Sequence, residues 1–362
     1  MTRKMSIVLS FDHELPLGGL DVSYEESLLG PTDQLLDLAD ELGVPIVLFA
    51  DVLCAQRFRE WDRSGFYEPY CHQLDRALRR GHDVQLHLHP HWIDTEYHDG
   101  RFHPSGNYKL ADFAQRESWG GISGIVSSSV EWLTGLAIDA RSDYACVAYR
   151  AGGYVLEPEA GPTMRALWDA GIRIDSSIAK GFYRKSAFYT VDYRKMPRSA
   201  NWFIGLDGDL RTPADSGLYE VPIAVRPKNP ITNLPTRFKR KALAHRARPL
   251  GGRGFLMPGS VGFLDKVRHA FSPRMLTFDI YTMSVNDLLG ILEHTRQRHC
   301  HDESIALSSI AHPKTMSAHS FELLRGFVER TRAVYGDEVR FCSYQDLARE
   351  IAPIWLDGRD DA

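Results

Sequence analysis

Histidines and carboxylates that could bind a metal ion lie in two short segments of this 362-residue chain. The segment His87–His91 holds three histidines, and the segment Asp12–Glu14 holds two carboxylates with a histidine between them. Imidazole and carboxylate suit zinc, iron, nickel and cobalt. A catalytic zinc site needs about three protein ligands and an open position for water. The two segments therefore predict a divalent-metal site, with zinc expected and cobalt, nickel or iron as alternatives.

Predicted strands and helices, which alternate along most of the chain, must position these residues. Predicted strands cover 6–11, 45–50, 83–88, 145–149, 172–174, 304–310 and 339–342. Predicted helices cover 31–42, 67–80, 159–170, 285–298, 318–334 and 344–351. Repeated strand–helix units predict a parallel sheet with helices outside, either open or closed into a barrel.

Reactive side chains collect where predicted strands end. They are Asp12 and Glu14, the histidines of His87–His91, Arg150, Asp175 and His312. Active sites of parallel α/β folds form at the carboxyl ends of the strands. Each residue alone also has a plainer interpretation, since a single histidine is more often a core or solvated residue and a carboxylate is often a helix cap. Their occurrence together favours an active site.

The spacing within the histidine segment leaves the choice of ligands open. His87 and His91, four residues apart, can reach one ion if the chain turns after the strand. His89 would share a face with both if the segment stayed extended, but Pro90 argues against that conformation.

Composition and charge limit the class of protein. The chain is 43% hydrophobic and 25% charged, as in ordinary soluble proteins. A net charge of −4 argues against a general nucleic-acid binder. The five cysteines are scattered without a CxxC pair, which favours reduced thiols and a cytoplasmic location. We find no signal peptide and no apolar run near the roughly 20 residues of a transmembrane helix.

One segment interrupts the strand–helix pattern. Residues 226–253 carry nine Lys or Arg and no Asp or Glu. We interpret this as a basic insertion, assigned to 226–280, within a single barrel domain of residues 1–353 that precedes a disordered tail at 354–362. The cations could meet anionic lipid headgroups or a sugar pyrophosphate. A solvated, partly disordered loop is an equal alternative.

The ordered motifs resemble those of the NodB-type polysaccharide deacetylases, carbohydrate esterase family four. They are SFDHE at the first strand, GHDVQLHLHPH with His87 and His91 at the two ligand positions, RAGGY from Arg150, the pair Asp175-Ser176, and a late strand ending at His312. The matches span roughly residues 6 to 350 apart from the basic insertion. As an ordered set they are fairly specific, although each motif alone is weak.

The resemblance implies a distorted (β/α) barrel with an incomplete ring of strands, and a role for each residue. Asp12 would be the general base and His312 the general acid. Arg150 would pair with Asp12 and keep it ionised, and Asp175 would orient His312. The metal, with the backbone N–H of Tyr154, would stabilise the oxyanion.

Departures from the family pattern affect the ligand set and the pocket. Most members have a second Asp at the position of His13, but divergent members use Asp-x-Asp or Asp-x-Glu. Glu14 is therefore the expected third ligand, with His13 as the fallback. The pair Gly152-Gly153 replaces x-Pro and loosens the loop that usually shapes the pocket. Trp92, which follows the second motif, and Tyr154, the last residue of the third, are expected to contact the substrate. His89 is expected to lie beside the metal site.

These features predict a metal-dependent hydrolase that removes an acetyl or formyl group from an amino sugar. The expected setting is the synthesis of a surface polysaccharide or a lipid-linked sugar, with the basic insertion as a possible contact to a lipid-linked or phosphorylated substrate. Two alternatives remain open: a hydrolase of a small cyclic amide, and a catalytically inactive glycan-binding or scaffold protein of the same fold.

Overall fold

The computed structural model of the protein describes residues 4–16, 22–98, 101–156, 160–186, 188–228, 274–281 and 283–357. The strands are β1 (Lys4–Val8), β2 (Ser10–His13), β3 (Val47–Asp51), β4 (Asp83–Leu88), β5 (Glu96–His98), β6 (Arg101–His103), β7 (Ala148–Ala151), β8 (Ile174–Asp175), β9 (Tyr183–Lys185), β10 (Thr190–Asp192), β11 (Trp202–Ile204), β12 (Leu218–Glu220), β13 (Val225–Lys228), β14 (Arg274–Thr277), β15 (Ser304–Ser308) and β16 (Val339–Phe341). The α-helices are α1 (Gly30–Leu42), α2 (Val52–Trp61), α3 (Glu68–Arg79), α4 (Gly121–Ala137), α5 (Ala160–Asp169), α6 (Val285–Arg298), α7 (Ala318–Tyr335) and α8 (Tyr344–Asp357).

Seven strands form the main sheet, in the order β11-β12-β8-β7-β4-β3-β2. Neighbours in this sheet are parallel except for β11 and β12. A second parallel sheet has the order β15-β1-β16. Single bridges from Ile223 to Ser308 and from Phe11 to Ala311 bring the residues after β12 and the end strand β2 to the end of β15 and the residues after it. The predicted distorted barrel with an incomplete ring of strands is confirmed.

The central strands are buried because side chains fill the barrel and helices cover its outside. Every residue of β3 and β4 is buried. Helix α1 packs Leu35, Leu36 and Ala39 into the core. It ends where Gly43 adopts a φ of 60° and donates its N–H to the carbonyl of Ala39, a conformation that glycine reaches without steric cost.

Helices α2 and α4 are absent from the sequence prediction, for two different reasons. No glycine or proline separates α2 from β3; the helix begins where Asp51 Oδ1 accepts the N–H of Cys54 at 3.4 Å. Helix α4 contains three glycines, which disfavour helix locally. Burial of Ile125 and Leu133 against the core supplies the stability that the local sequence lacks.

The basic insertion is described only at its two ends. Val225–Lys228 and Arg274–Thr277 form the antiparallel pair β13–β14, and residues 229–273 lie outside the described residues. Helix α8 continues to Asp357, inside the segment expected to be a disordered tail; residues 358–362 are not described. Among the described helices, none combines the length and the apolar content needed to cross a membrane.

Candidate metal centre and active site

Side chains alternate along β2, which separates Asp12 and Glu14 from the histidine between them. The two carboxylates line one cavity of about 310 Å³. The imidazole of His13 is buried elsewhere, because its Nε2 donates to Gln73 Oε1 at 2.8 Å and its ring packs on Tyr70 with centroids 4.6 Å apart. The fallback ligand His13 is therefore outside the site, and Glu14 is inside it.

Three buried side chains in this region could hold a metal ion. They are Glu14, His87 and His89, whose ligand atoms lie within 4.8 Å of one another. His87 is oriented by a hydrogen bond of 2.8 Å between its Nδ1 and the backbone oxygen of Arg150. A carbonyl oxygen only accepts, so Nδ1 carries the proton and Nε2 of the neutral ring presents a lone pair. That Nε2 lies 3.1 Å from Glu14 Oε2.

The chemistry of this donor set fits a divalent cation. Nε2 of His87 and Nε2 of His89 both approach Oε2 of Glu14, so three electron-pair donors converge. Burial lowers the pKa of His87, but Asp12 and Glu14 outweigh it and raise the pKa to about 9. At neutral pH the ring is then protonated and its Nε2 donates to Glu14. A metal ion attracted by the same negative field would replace this proton, and two imidazoles with one carboxylate form a known type of catalytic zinc site.

His91, which was predicted as a ligand, lies outside this group, and His89, which was expected beside the metal site, belongs to it. The backbone at His89 is extended, with φ −107° and ψ 92°. The alternation of β4 therefore continues one residue further and brings His87 and His89 to the same face. The chain turns only at Pro90, where a short 3-10 helix begins. His91 is buried against Tyr108, and its Nδ1 has no hydrogen-bond partner among the described residues.

Lys314, for which no role was predicted, fixes the carboxylate of Glu14. Its Nζ donates to Glu14 Oε1 at 2.8 Å and to the carbonyl of Leu15 at 2.9 Å, which leaves Oε2 to the histidines. Burial would raise the pKa of Glu14, but Lys314, His89 and His87 lower it well below its ordinary value. Glu14 is thus ionised. The sequence signal that points to Lys314 is its place two residues after a histidine at a strand end.

Asp12 is paired with Arg150. Arg150 Nη1 donates to Asp12 Oδ1 at 2.7 Å, and the two side chains are 1% and 5% exposed. The rest of the guanidinium donates to hydroxyl and carbonyl oxygens of Ser10, Ser176, Ser308 and Ser309. Burial would raise the pKa of Asp12, but Arg150, His87 and His312 lower it below its ordinary value. Asp12 is therefore ionised, with Oδ1 held and Oδ2 left for the histidines.

Replacing Arg150 by methionine is expected to destabilise the protein by about 3–5 kcal/mol, because the buried carboxylate of Asp12 loses its charge partner. Urea unfolding followed by circular dichroism gives the change in the free energy of unfolding. The matched control is Arg330→Met; Arg330 is exposed on α7, so this change should cost less than about 0.5 kcal/mol. A loss below about 1 kcal/mol for Arg150→Met would mean that the pair behaves like a surface ion pair.

His312 faces the two carboxylates. Its Nε2 lies 3.6 Å from Asp12 Oδ2 and 3.4 Å from Glu14 Oε1. Burial lowers the pKa of His312 below its ordinary value, although both carboxylates act in the opposite direction. Asp175, which was expected to orient His312, is held instead by the N–H and the hydroxyl of Ser177, at 3.0 and 2.8 Å. The turn after β8 engages this carboxylate locally, so its expected role is not supported by the geometry.

The cavity has an aromatic and basic wall beyond the two carboxylates. Tyr154, predicted to contact the substrate, lines it with a φ of 65°, and no other described non-glycine residue has a positive φ. Arg184 and Tyr189, which the sequence prediction missed, line it from the β9–β10 hairpin. Tyr108 also contributes. No motif marks these residues, because the hairpin and the loops reach the cavity only through the tertiary fold.

Trp92 does not belong to the cavity wall, contrary to expectation. It is 1% exposed, and its Nε1 donates to Asp51 Oδ2 at 2.8 Å. Its ring packs against Phe58 and Phe102, with centroids 6.3 and 5.3 Å away. A buried indole with its N–H satisfied is a stable core arrangement. Trp92 therefore supports the turn that follows His89 from inside the protein.

Gly152 allows a close approach to His89. A Cβ atom at this position would lie 2.6 Å from His89 Nδ1 and 2.6 Å from the carbonyl oxygen of Leu88. Gly152→Ala is therefore expected to displace His89 and to weaken zinc binding by about 10–100-fold, the usual effect of losing a contact that orients a metal ligand. Isothermal titration calorimetry with zinc measures the change.

The control for this variant is Gly135→Ala in α4, where a Cβ would meet no atom within 4 Å. Helical alanine is more favourable than glycine, so this control should fold at least as well as the unsubstituted protein and bind zinc equally. Unchanged zinc affinity in Gly152→Ala would contradict the assigned position of His89.

Comparison with solved structures identifies the fold. A candidate polysaccharide deacetylase from Mycobacterium smegmatis matches with a TM-score of 0.50 and 15% identity, covering 98% of this chain and 92% of that chain. An allantoinase matches with a TM-score of 0.48 and 12% identity, covering 97% and 91%. A candidate polysaccharide deacetylase from Pseudomonas aeruginosa PAO1 matches with a TM-score of 0.45 and 12% identity, covering 97% and 92%.

The sequence itself matches no protein-family model and no curated protein. At 15% identity, the similarity to the mycobacterial structure concerns the fold, and it extends over almost the whole of both chains. The parallel main sheet and its incomplete ring of strands agree with that similarity. The chain therefore has the distorted (β/α) barrel fold of the NodB-type polysaccharide deacetylases.

Proposed function

We propose that the protein is a metal-dependent hydrolase that removes an acetyl or formyl group from the nitrogen of an amino sugar. The observation that carries this proposal is the meeting of three groups at one site: the ligand set of Glu14, His87 and His89, the ion pair of Asp12 with Arg150, and the imidazole of His312. Ligands, a base and an acid are the parts that amide hydrolysis at a metal site requires.

Glu14, His87 and His89 would hold the cation. When bound, a divalent metal supplies Lewis-acid polarisation of the amide carbonyl and makes water a better nucleophile at neutral pH. The chain supplies the remaining functions. Lys314 keeps Glu14 ionised and directed at the histidines, and the backbone N–H of Tyr154 is the proposed donor to the oxyanion.

Asp12 and His312 transfer the protons, as general base and general acid. Oδ2 of Asp12, the oxygen not paired with Arg150, takes a proton from the attacking water as a bond forms between the water oxygen and the acyl carbon. His312 gives a proton to the sugar nitrogen as the C–N bond breaks, which releases a carboxylate and an amine. Because its pKa is lowered, His312 rests mainly in the neutral form. Asp12 Oδ2 lies 3.6 Å from Nε2 of His312. It is therefore placed to transfer the proton taken from water to His312, which then donates it to the sugar nitrogen.

The substrate belongs, in this proposal, to the synthesis of a surface polysaccharide or a lipid-linked sugar. The aromatic wall of Tyr108, Tyr154 and Tyr189 offers flat surfaces on which a sugar ring can pack. The basic insertion remains a candidate contact for a lipid-linked or phosphorylated substrate. None of the five cysteines, all of them described, forms a disulfide, which favours a cytoplasmic setting.

The test is an assay of purified protein supplied with zinc, cobalt or nickel, against a panel of N-acetyl and N-formyl amino sugars. Release of acetate or formate that depends on the added metal is the expected result. Full hydrolysis after complete removal of the metal would refute the proposal. Persistent inactivity with a bound ion would favour an inactive glycan-binding protein, and hydrolysis confined to cyclic amides such as allantoin would favour the other alternative.

A further inference from the structure

A second cavity, of about 250 Å³, lies on the other side of one wall of the catalytic cavity. Ile223 lines the second cavity and Ile310 lines the catalytic one. These two residues form a small buried cluster with Ala179, so the packed side chains of this cluster lie between the two spaces. The second cavity also contacts the base of the basic insertion, through Pro227 and Met275.

The charged residues that line the second cavity are Lys180, Arg194 and Arg298, and Arg194 is already paired with Asp192 at 2.5 Å. His294 and His299 also line it, and burial lowers the pKa of both, to about 4 for His299, so they are neutral hydrogen-bonding groups. No described lining residue is Asp or Glu. Apolar surface from Met196, Pro197 and Met275 completes the wall. A space of this size with cations, imidazoles and apolar patches suits a small anionic molecule rather than a metal ion or a neutral one.

Lys180 is the most enclosed of these cations. Its Nζ donates to the carbonyl oxygens of Ser199 and Ala200 and lies 4.6 Å from the centroid of the Trp202 ring. Burial lowers the pKa of Lys180 to about 8. An ammonium group held in this way on carbonyl oxygens still carries its positive charge near neutral pH, and an anion would compensate it.

The nearby carboxylates compensate this charge only in part. Burial, together with Asp175, raises the pKa of Glu220 well above its ordinary value, which disfavours its charged form. Asp302 attracts Lys180, but its Oδ2 accepts the N–H of Ala200 at 3.1 Å and faces His299 Nδ1 at 3.4 Å. A positive field therefore remains in the cavity, to which the exposed Arg298 of α6 adds a second full charge.

We propose that this second cavity binds a small molecule that carries a phosphate group. A phosphate dianion can accept charge-assisted hydrogen bonds from Lys180 and Arg298 together, and His294 and His299 offer further donors. The apolar wall would contact the rest of the molecule. This site is separate from the proposed metal centre and does not depend on the proposed function.

The second cavity is also connected to the catalytic cavity by one hydrogen bond. Tyr193 lines the second cavity, and its hydroxyl donates to the backbone oxygen of Tyr154 at 2.6 Å. Tyr154 in turn lines the catalytic cavity.

The proposal is tested by calorimetric titration of the full chain with glycerol phosphate. Glycerol serves as the uncharged control ligand. We expect binding of the phosphate compound alone, and affinity that falls by about tenfold or more in Arg298→Gln, since a hydrogen bond to a charged group is lost. Arg330→Gln on α7 is the matched control and should bind like the unsubstituted protein. Lys180→Met, after circular dichroism confirms its folding, should also lose binding.

A second experiment distinguishes binding in the cavity from binding by the basic insertion. The triple variant Lys239→Gln, Arg240→Gln, Lys241→Gln should keep its affinity for glycerol phosphate if the cavity is the site. Loss of glycerol phosphate binding in this triple variant, together with unchanged affinity in Arg298→Gln, would overturn the proposal. Equal binding of glycerol and glycerol phosphate, or no binding of either, would overturn it as well.

Discussion

Replacing Asp12 by asparagine is expected to reduce hydrolysis by about 10²–10⁴-fold, the usual contribution of a general base, while the protein still binds its metal. The asparagine side chain would keep a hydrogen-bond acceptor toward Arg150 but could not take a proton from water. The ligand group does not include Asp12, so zinc stoichiometry should stay the same. Steady-state kinetics and metal analysis of the same sample provide the two measurements.

The companion variant is His87→Ala, which should lose both bound zinc and hydrolysis. His87 is held by the carbonyl of Arg150, and its removal takes one of three ligands away. Thermal unfolding of both variants checks that they are folded. Retained hydrolysis in Asp12→Asn would assign the base to another residue, and His312 would be the next candidate because it lies on the same cavity.

Replacing His89 by alanine is expected to abolish zinc binding and activity, whereas His91→Ala should bind zinc with at least a tenth of the original affinity. The reason is geometric: Nε2 of His89 reaches Glu14 Oε2, while His91 is buried beside Tyr108, with its ring centroid 5.2 Å from that ring. A loss of about tenfold for His91→Ala would correspond to a supporting role. Zinc titration of both variants gives the comparison directly.

The reverse outcome would be equally informative. If His91→Ala lost zinc and His89→Ala kept it, the spacing of four residues predicted from the sequence would be the true ligand pair. The two substitutions are matched in chemistry and lie two residues apart, so each serves as the control of the other. Both histidines are buried, and unfolding measurements would separate loss of a ligand from loss of the fold.

Much of the fold follows from local patterns in the sequence. Strand β4 and helix α6 have the bounds that were predicted, because apolar runs and helical spacing mark them clearly. The predicted strand at 145–149 instead begins at Ala148. Its start is set by a distant side chain, since Gln85 Oε1 accepts the N–H groups of Val147 and Ala148 at 2.8 Å.

The candidate site could be predicted only where a strand end determines it. Asp12, Glu14, His87, Arg150 and His312 were found because parallel strands bring their carboxyl ends to one edge. The proposal of His89 rather than His91 as a ligand depends on the backbone angles of a single residue, which no spacing rule supplies. The same holds for Trp92, whose burial depends on aromatic neighbours from other elements of the fold.

Arg150 makes two contacts at once: its side chain pairs with Asp12, the proposed base, and its backbone carbonyl accepts a hydrogen bond from His87, a proposed ligand. A displacement of β7 would therefore move both partners together, which would keep the distance between Asp12 and His87 nearly constant. Directed evolution toward new substrates should accordingly succeed through the β9–β10 hairpin with Arg184 and Tyr189. Mutations in β7, by contrast, should be rejected in such a selection almost without exception.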